Sequence, residues 1–278
     1  MSDKDKHVEE LKSDVTHVDG EGEGCVTRCK WKKEVASNGW TRMACEFTGH
    51  DHRKNGRNFH VANNLSWYNL DFSVEGPARA RLERELKRGF IVLNARKPDP
   101  RNSRARQTWW MTRSGNFKSQ SKPWSFNAHH LIPIGSLHST FSIEKESGKS
   151  DLLLLQKAKY NVNAGVNIMF LPTQEPYAYV FELPAHLNAK GTNSNHRDYN
   201  DFVEKQLDSI KKVIAEAASQ GEDHPALTEA NVGGLKSELE DFSRSMREVL
   251  REVGVARSKA NDLREPDNFL SHSLDIID

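Results

Sequence analysis

The chain has 278 residues, room for one good core or one core plus a satellite module, and it carries 40 basic against 39 acidic side chains. A hydrophobic share of 36% and a mean hydropathy of -0.75 describe a polar chain, and no apolar run approaches the roughly 18 residues a membrane span needs. The three cysteines, Cys25, Cys29 and Cys45, are odd in number and all early, which argues against a disulfide framework.

Residues 1–20 read as a solvated tail. The opening MSDKDKHVEELKSD is charged throughout and lacks the apolar stretch of a secretory signal, so the expectation is a protein made in the cytoplasm. Export would need a route without a cleaved signal. Residues 21–75 form an irregular, Cys/His-rich N-terminal module. Cys25, Cys29, Cys45 and the imidazole of His50 have the spacing of a structural zinc site, three thiolates and one nitrogen closing a tetrahedron. The plainer alternative is ordinary reduced, buried thiols.

Residues 76–125 are a basic segment. Pro77–Arg88 is expected to be a short charged helix, opened by a proline whose missing N–H costs nothing there, and Phe90–Leu93 a strand. Arg96, Lys97, Arg101, Arg104, Arg106, Arg113, Lys118 and Lys122 then face a single acid, Asp99, with Trp109, Trp110, Phe117 and Trp124 threaded through them. Such a stretch is either a solvated loop or a surface that tracks phosphates, with Arg104, Arg106, Arg113 and Lys118 as candidate substrate contacts.

Residues 126–220 hold the candidate chemistry. His129 and His130 lead into an apolar strand over residues 127–133, and residues 163–172 read as a second strand. His196 opens a helix with Tyr199, Val203, Leu207, Ile210, Ile214 and Ala217 on one face, stopped at Gly221. Residues 221–278 contain a last helix, from near Ala226, with a heptad-like stripe of Val232, Leu235, Leu239, Phe242, Met246, Val249 and Val253. Packing on its own domain is the main reading of that stripe, and pairing with a second chain the lesser one.

Hydrolysis of a phosphodiester needs an activated water and a counter-charge for the departing oxygen, which one divalent ion and one neutral imidazole can supply. Successive strand side chains point to opposite faces, so His129 can face a metal while His130 faces the water. His196 and Asn200 are four apart and share a helix face. An amide oxygen suits a hard cation such as Mg²⁺, and imidazole keeps transition metals open. Asn167 is placed to tie the two strands together by backbone hydrogen bonds. His60, His138 and His224 fit no pattern.

Ala128-His129-His130-Leu131-Ile132-Pro133, then Asn167 ahead of Leu171-Pro172, then His186, His196, Tyr199 and Asn200 resemble the AHH group of HNH/endonuclease VII-type nucleases over residues 126–210. The resemblance implies an α+β protein with a central ββα-metal (His-Me finger) nuclease core, the irregular N-terminal module and a long C-terminal helix. It implies His130 as general base, His129 as metal ligand and His196 and Asn200 as helix-borne ligands. His186 would bind either metal or phosphate, and Asn167 would brace the hairpin. One divalent ion is implied, Mg²⁺ first, with Mn²⁺, Ni²⁺ or Zn²⁺ as alternatives. The implied activity is cleavage of DNA with little sequence preference by a toxin or effector delivered into a target cell, opposed by a cognate immunity protein, with no membrane partner. The rivals are a non-catalytic, zinc-stabilised nucleic-acid-binding or scaffold protein, and an RNase of the same fold.

Overall fold

The computed structural model describes residues 24–27, 31–35, 41–45, 49–63, 80, 81, 83, 84, 87, 91–93, 109–111, 126–141, 151–172, 175–186, 197–219 and 229–260. Its elements are α+β: helices and small two-stranded sheets. Strand β1 (Trp31–Val35) pairs antiparallel with β2 (Thr41–Cys45), Trp31 opposite Cys45 and Val35 opposite Thr41. Helix α1 (His52–Ala62) follows. Strand β3 (Ile91–Leu93) pairs parallel with β4 (Trp109–Met111), and β5 (Phe126–His130) pairs with β6 (Ile168–Pro172). Between β5 and β6 lie α2 (Ile134–Phe141), α3 (Asp151–Lys157) and a 3-10 turn (Gly165–Asn167). Helices α4 (Glu175–Phe181), α5 (Arg197–Ser219) and α6 (Glu229–Ala260) complete the order.

The chain forms two compact units, each drawn from three stretches of sequence. One comprises Met1–Phe59, His130–Met169 and Asn200–Ser245; the other comprises His60–His129, Phe170–Tyr199 and Met246–Asp278. The first unit buries Leu131, Ile132, Leu137, Phe141, Tyr160 and Leu207. The second buries Phe170, Val180, Phe181, Leu183, Tyr199 and Leu250. Each such side chain removed from water is worth about 1.5–3 kcal/mol before entropy is charged against it.

Part of the stretch expected to be irregular is regular. Asp51 caps α1: its carboxylate accepts from the Lys54 amide at 3.0 Å and its carbonyl from the Asn55 amide at 2.8 Å, while Gly49 takes a left-handed φ of 76° just before. Asn55, Gly56 and Asn58 inside the helix are poor helix formers, which hid it from propensity. Gly165 is needed where α1 passes, since a Cβ there would run into the Asn55 carbonyl and the Phe59 side chain.

Both central strands are shorter than their apolar runs suggest. Strand β5 ends at His130 instead of continuing to Pro133, because the Leu131 amide donates to the Asn167 carbonyl (2.9 Å) and the Ile132 amide to Asn167 Oδ1 (2.7 Å). Pro133 then stands just before the next helix, its carbonyl accepting from the Leu137 amide at 2.9 Å. Residues 163–167 are turn and 3-10 helix, and β6 begins only at Ile168. The asparagine amides capture backbone groups there and replace the strand ladder.

Helix α5 buries Tyr199, Val203 and Leu207, as the period predicts, with Ile210 half-buried. Ile214 and Ala217 carry side chains outside the described residues. Helix α6 departs from its heptad stripe. Its buried line is Leu239, Ser243, Met246, Arg247, Leu250 and Val253, while Phe242 and Val249 are only half-buried. Gly254 belongs to that line, because a Cβ there would strike the backbone of Glu182 and Leu183.

Candidate active site

The two histidines of the pair belong to different units. His130 is half-buried at the end of β5. Its Nε2 lies 3.2 Å from Oδ1 of Asn163, and its ring centroid lies 5.1 Å from that of His52, the first residue of α1. Burial, followed by the nearby His130 and Arg53, pushes the His52 imidazole down to about 3, so His52 is neutral near pH 7.

Asn163 is wholly buried and belongs to an amide-rich turn, Asn161-Val162-Asn163-Ala164-Gly165-Val166-Asn167. Its amide donates from Nδ2 to the Thr27 carbonyl at 3.1 Å, and its backbone N–H donates to Asn161 Oδ1 at 2.9 Å. Its carbonyl accepts from Asn55 Nδ2 at 2.9 Å. Asn167 is equally buried. Its Oδ1 accepts from the Ile132 amide and, at 3.0 Å, from the Ser243 hydroxyl; its Nδ2 donates to the carbonyls of Val162 (2.9 Å) and Ile132 (3.2 Å). Asn200 lies half-buried in α5, with its carbonyl accepting from the Ser136 hydroxyl at 3.5 Å.

His129 has a different setting. It is 5% exposed, with its ring edge-on to His186 (centroids 5.2 Å apart) and to Tyr199 (5.0 Å). His186 is fastened by its backbone N–H to the Pro172 carbonyl at 2.7 Å, and its Nδ1 lies 3.3 Å from Asn127 Nδ2. Burial drives the Tyr199 phenol far above its usual range against the opposing pull of Arg247, so Tyr199 stays protonated.

The sequence reading missed His52 and Asn163 as neighbours of His130. A run with three asparagines among Val, Ala and Gly was the available signal for Asn163, since Asn is depleted in strands and favoured where side chains brace turns. Nothing local marked His52. Among the described residues no group of three His, Cys, Asp or Glu side chains gathers to hold a metal ion. His196, the expected helix-borne ligand, lies outside the described residues, as do Arg104, Arg106, Arg113 and Lys118. Of the expected zinc ligands, Cys25 is buried with Asn163 Nδ2 at 3.6 Å from its sulfur, and His50 is buried; Cys29 and the side chain of Cys45 lie outside the described residues. A polar cleft of about 310 Å³ is lined by Asn55, Asn58, Lys159, Asn161 and Lys236 among others, and no histidine lines it.

Residues 111–231 match the model of the AHH family, described as a nuclease family of the HNH/ENDO VII superfamily with conserved AHH. This segment is similar to the AHH nucleases. The matched span holds Ala128-His129-His130, the asparagine turn, His186, Tyr199 and Asn200, and it covers less than half of the chain. No curated protein and no solved structure matches. An AHH-type nuclease is a hydrolase acting on nucleic acid, and enzymes of the HNH/ENDO VII type generally use a divalent metal. No helix among the described residues is long and apolar enough to cross a membrane.

Proposed function

We propose that this protein is a metal-dependent endonuclease that hydrolyses DNA with little sequence preference, and that β5, β6 and α5 are the two strands and the helix of a ββα-metal core. The observation that carries this reading is the contrast within the AHH tripeptide: His130 against an amide oxygen, His129 against a second imidazole. A neutral His130 takes a proton from the water that attacks phosphorus. His129 and His186 are an imidazole pair suited to a divalent ion, and His196 and Asn200 are the further donors the sequence pattern implies. When bound, that ion supplies positive charge to the scissile phosphate and to the departing 3′ oxygen. Asn167 keeps Leu131 and Ile132 turned away at the end of β5, which holds His130 at the strand's last position.

The role in the cell that the family resemblance suggests is that of an antibacterial effector, delivered into a target and neutralised in its producer by an immunity protein. The basic residues Arg104, Arg106, Arg113 and Lys118 would meet the phosphate backbone, and a zinc ion on Cys25, Cys29, Cys45 and His50 would staple the N-terminal module.

Plasmid nicking by the purified protein, with Mg²⁺, with EDTA and with His130→Ala alongside, tests the proposal, and a single-stranded RNA of matched length tests the substrate. Metal-dependent nicking lost in the variant is expected. Cleavage of RNA with intact plasmid would move the substrate to RNA, and no cleavage under any divalent ion by folded protein would leave a binding module.

A further inference from the structure

The amide of Asn163 has only one orientation that its surroundings accept. Its nitrogen lies 3.1 Å from the Thr27 carbonyl oxygen, and a carbonyl oxygen can only accept. Reversing the amide would set two oxygens against each other in a wholly buried place. Oδ1 therefore faces His130 Nε2, 3.2 Å away, and because Oδ1 too can only accept, Nε2 must carry the hydrogen. The neutral ring then has its lone pair on Nδ1.

The asparagine is held where it does this. Its N–H is bound by Asn161 and its carbonyl by Asn55 Nδ2, which also donates to Gly49 O at 2.7 Å. Thr27 is held through Cys25, whose N–H donates to the Tyr160 carbonyl and whose carbonyl accepts from the Val162 amide, each at 2.8 Å. Thr27, Cys25, Gly49 and Asn55 all lie before residue 111, outside the nuclease-family match. We infer, on the reading of His130 as the base, that Asn163 is a positioning residue that fixes the His130 tautomer, and that the N-terminal segment takes part in the chemistry by orienting the Asn163 amide. The proton of the attacking water goes to His130 Nδ1.

Two-bond ¹H–¹⁵N correlation spectra of the full chain, labelled in histidine, read the tautomer without reference to activity; His130→Ala assigns the signal. Nε2–H is expected for His130 in the neutral ring. In Asn163→Ala the two tautomers mix, kcat falls about 10- to 100-fold and KM for an oligonucleotide duplex stays within about twofold. Asn163→Asp keeps an acceptor facing Nε2 but sets its second oxygen against the Thr27 carbonyl, so the Nε2–H tautomer is expected to persist while kcat stays below that of the unaltered protein. An Nδ1–H tautomer in the unaltered protein overturns the inference, even if both variants fail to fold. So does Asn163→Ala with unchanged tautomer and kcat. Cleavage that survives His130→Ala overturns the assignment of His130 as base instead, and the spectra still judge what Asn163 does to the ring.

Discussion

His129 and His130 are joined by one peptide bond and live in opposite surroundings. His129 is buried among rings, those of His186 and Tyr199. His130 is half-buried, against the amide of Asn163 and the neutral ring of His52. Strand alternation sends adjacent side chains to opposite faces, so one short motif can serve two chemistries. An imidazole pair with its rings edge-on is what the proposed cation site would draw on. A single imidazole whose one nitrogen is committed to an amide oxygen suits proton transfer to the other.

The largest effect should separate the two histidines outright. His130→Ala is expected to lower plasmid nicking by about 10²–10⁴-fold with the fold intact, and added Mg²⁺ should not restore it. His129→Ala should lose at least about tenfold, together with metal affinity, and regain part of its rate as Mg²⁺ is raised. An identical response of both variants to metal would erase the distinction between them.

Asn167→Ala should cost about 2–4 kcal/mol in urea denaturation, since it strands the Ile132 amide and the carbonyls of Ile132 and Val162 at a buried site. A loss below about 1 kcal/mol would mean that β5 is terminated by something other than this amide.

Within the unit that holds His129, His60 offers the smallest test. Burial, and then the charge of Arg247, holds its imidazole down to about 4. The unfolded chain therefore binds the extra proton between about pH 6.5 and 4, so this contribution is full above 6.5 and falls on acidification, by about 1 kcal/mol between pH 7 and 5.5. Stability profiles of the unaltered protein and of His60→Gln should converge as pH drops through that window; parallel profiles would remove His60 as a source of acid sensitivity.

Much of the candidate site was readable from the chain because its signals are local. The AHH tripeptide, the asparagine ahead of β6 and the period of α5 are patterns over a few residues, and a 3.6-residue repeat places Tyr199, Val203 and Leu207 on one face whatever they pack against. The lengths of β5 and β6 were not readable. Apolar runs extend both strands, while the asparagine turn directly before β6 displaces its start and, through Asn167, ends β5, 35 residues away. Helix α6 shows the same limit: of its apolar stripe Leu239, Met246 and Val253 are buried, but Phe242 and Val249 are half-buried while Ser243 and Arg247 join the buried line.

The sequence by itself determined which residue types could do the chemistry, their order, and the alternation that parts His129 from His130. Only the tertiary structure decided that Asn163 and His52 attend one histidine and His186 and Tyr199 the other. Hydrogen-bond orientation and ring packing depend on partners far along the chain, 136 residues apart in the case of Asn163 and Thr27, and no local period or propensity encodes a distance of that kind.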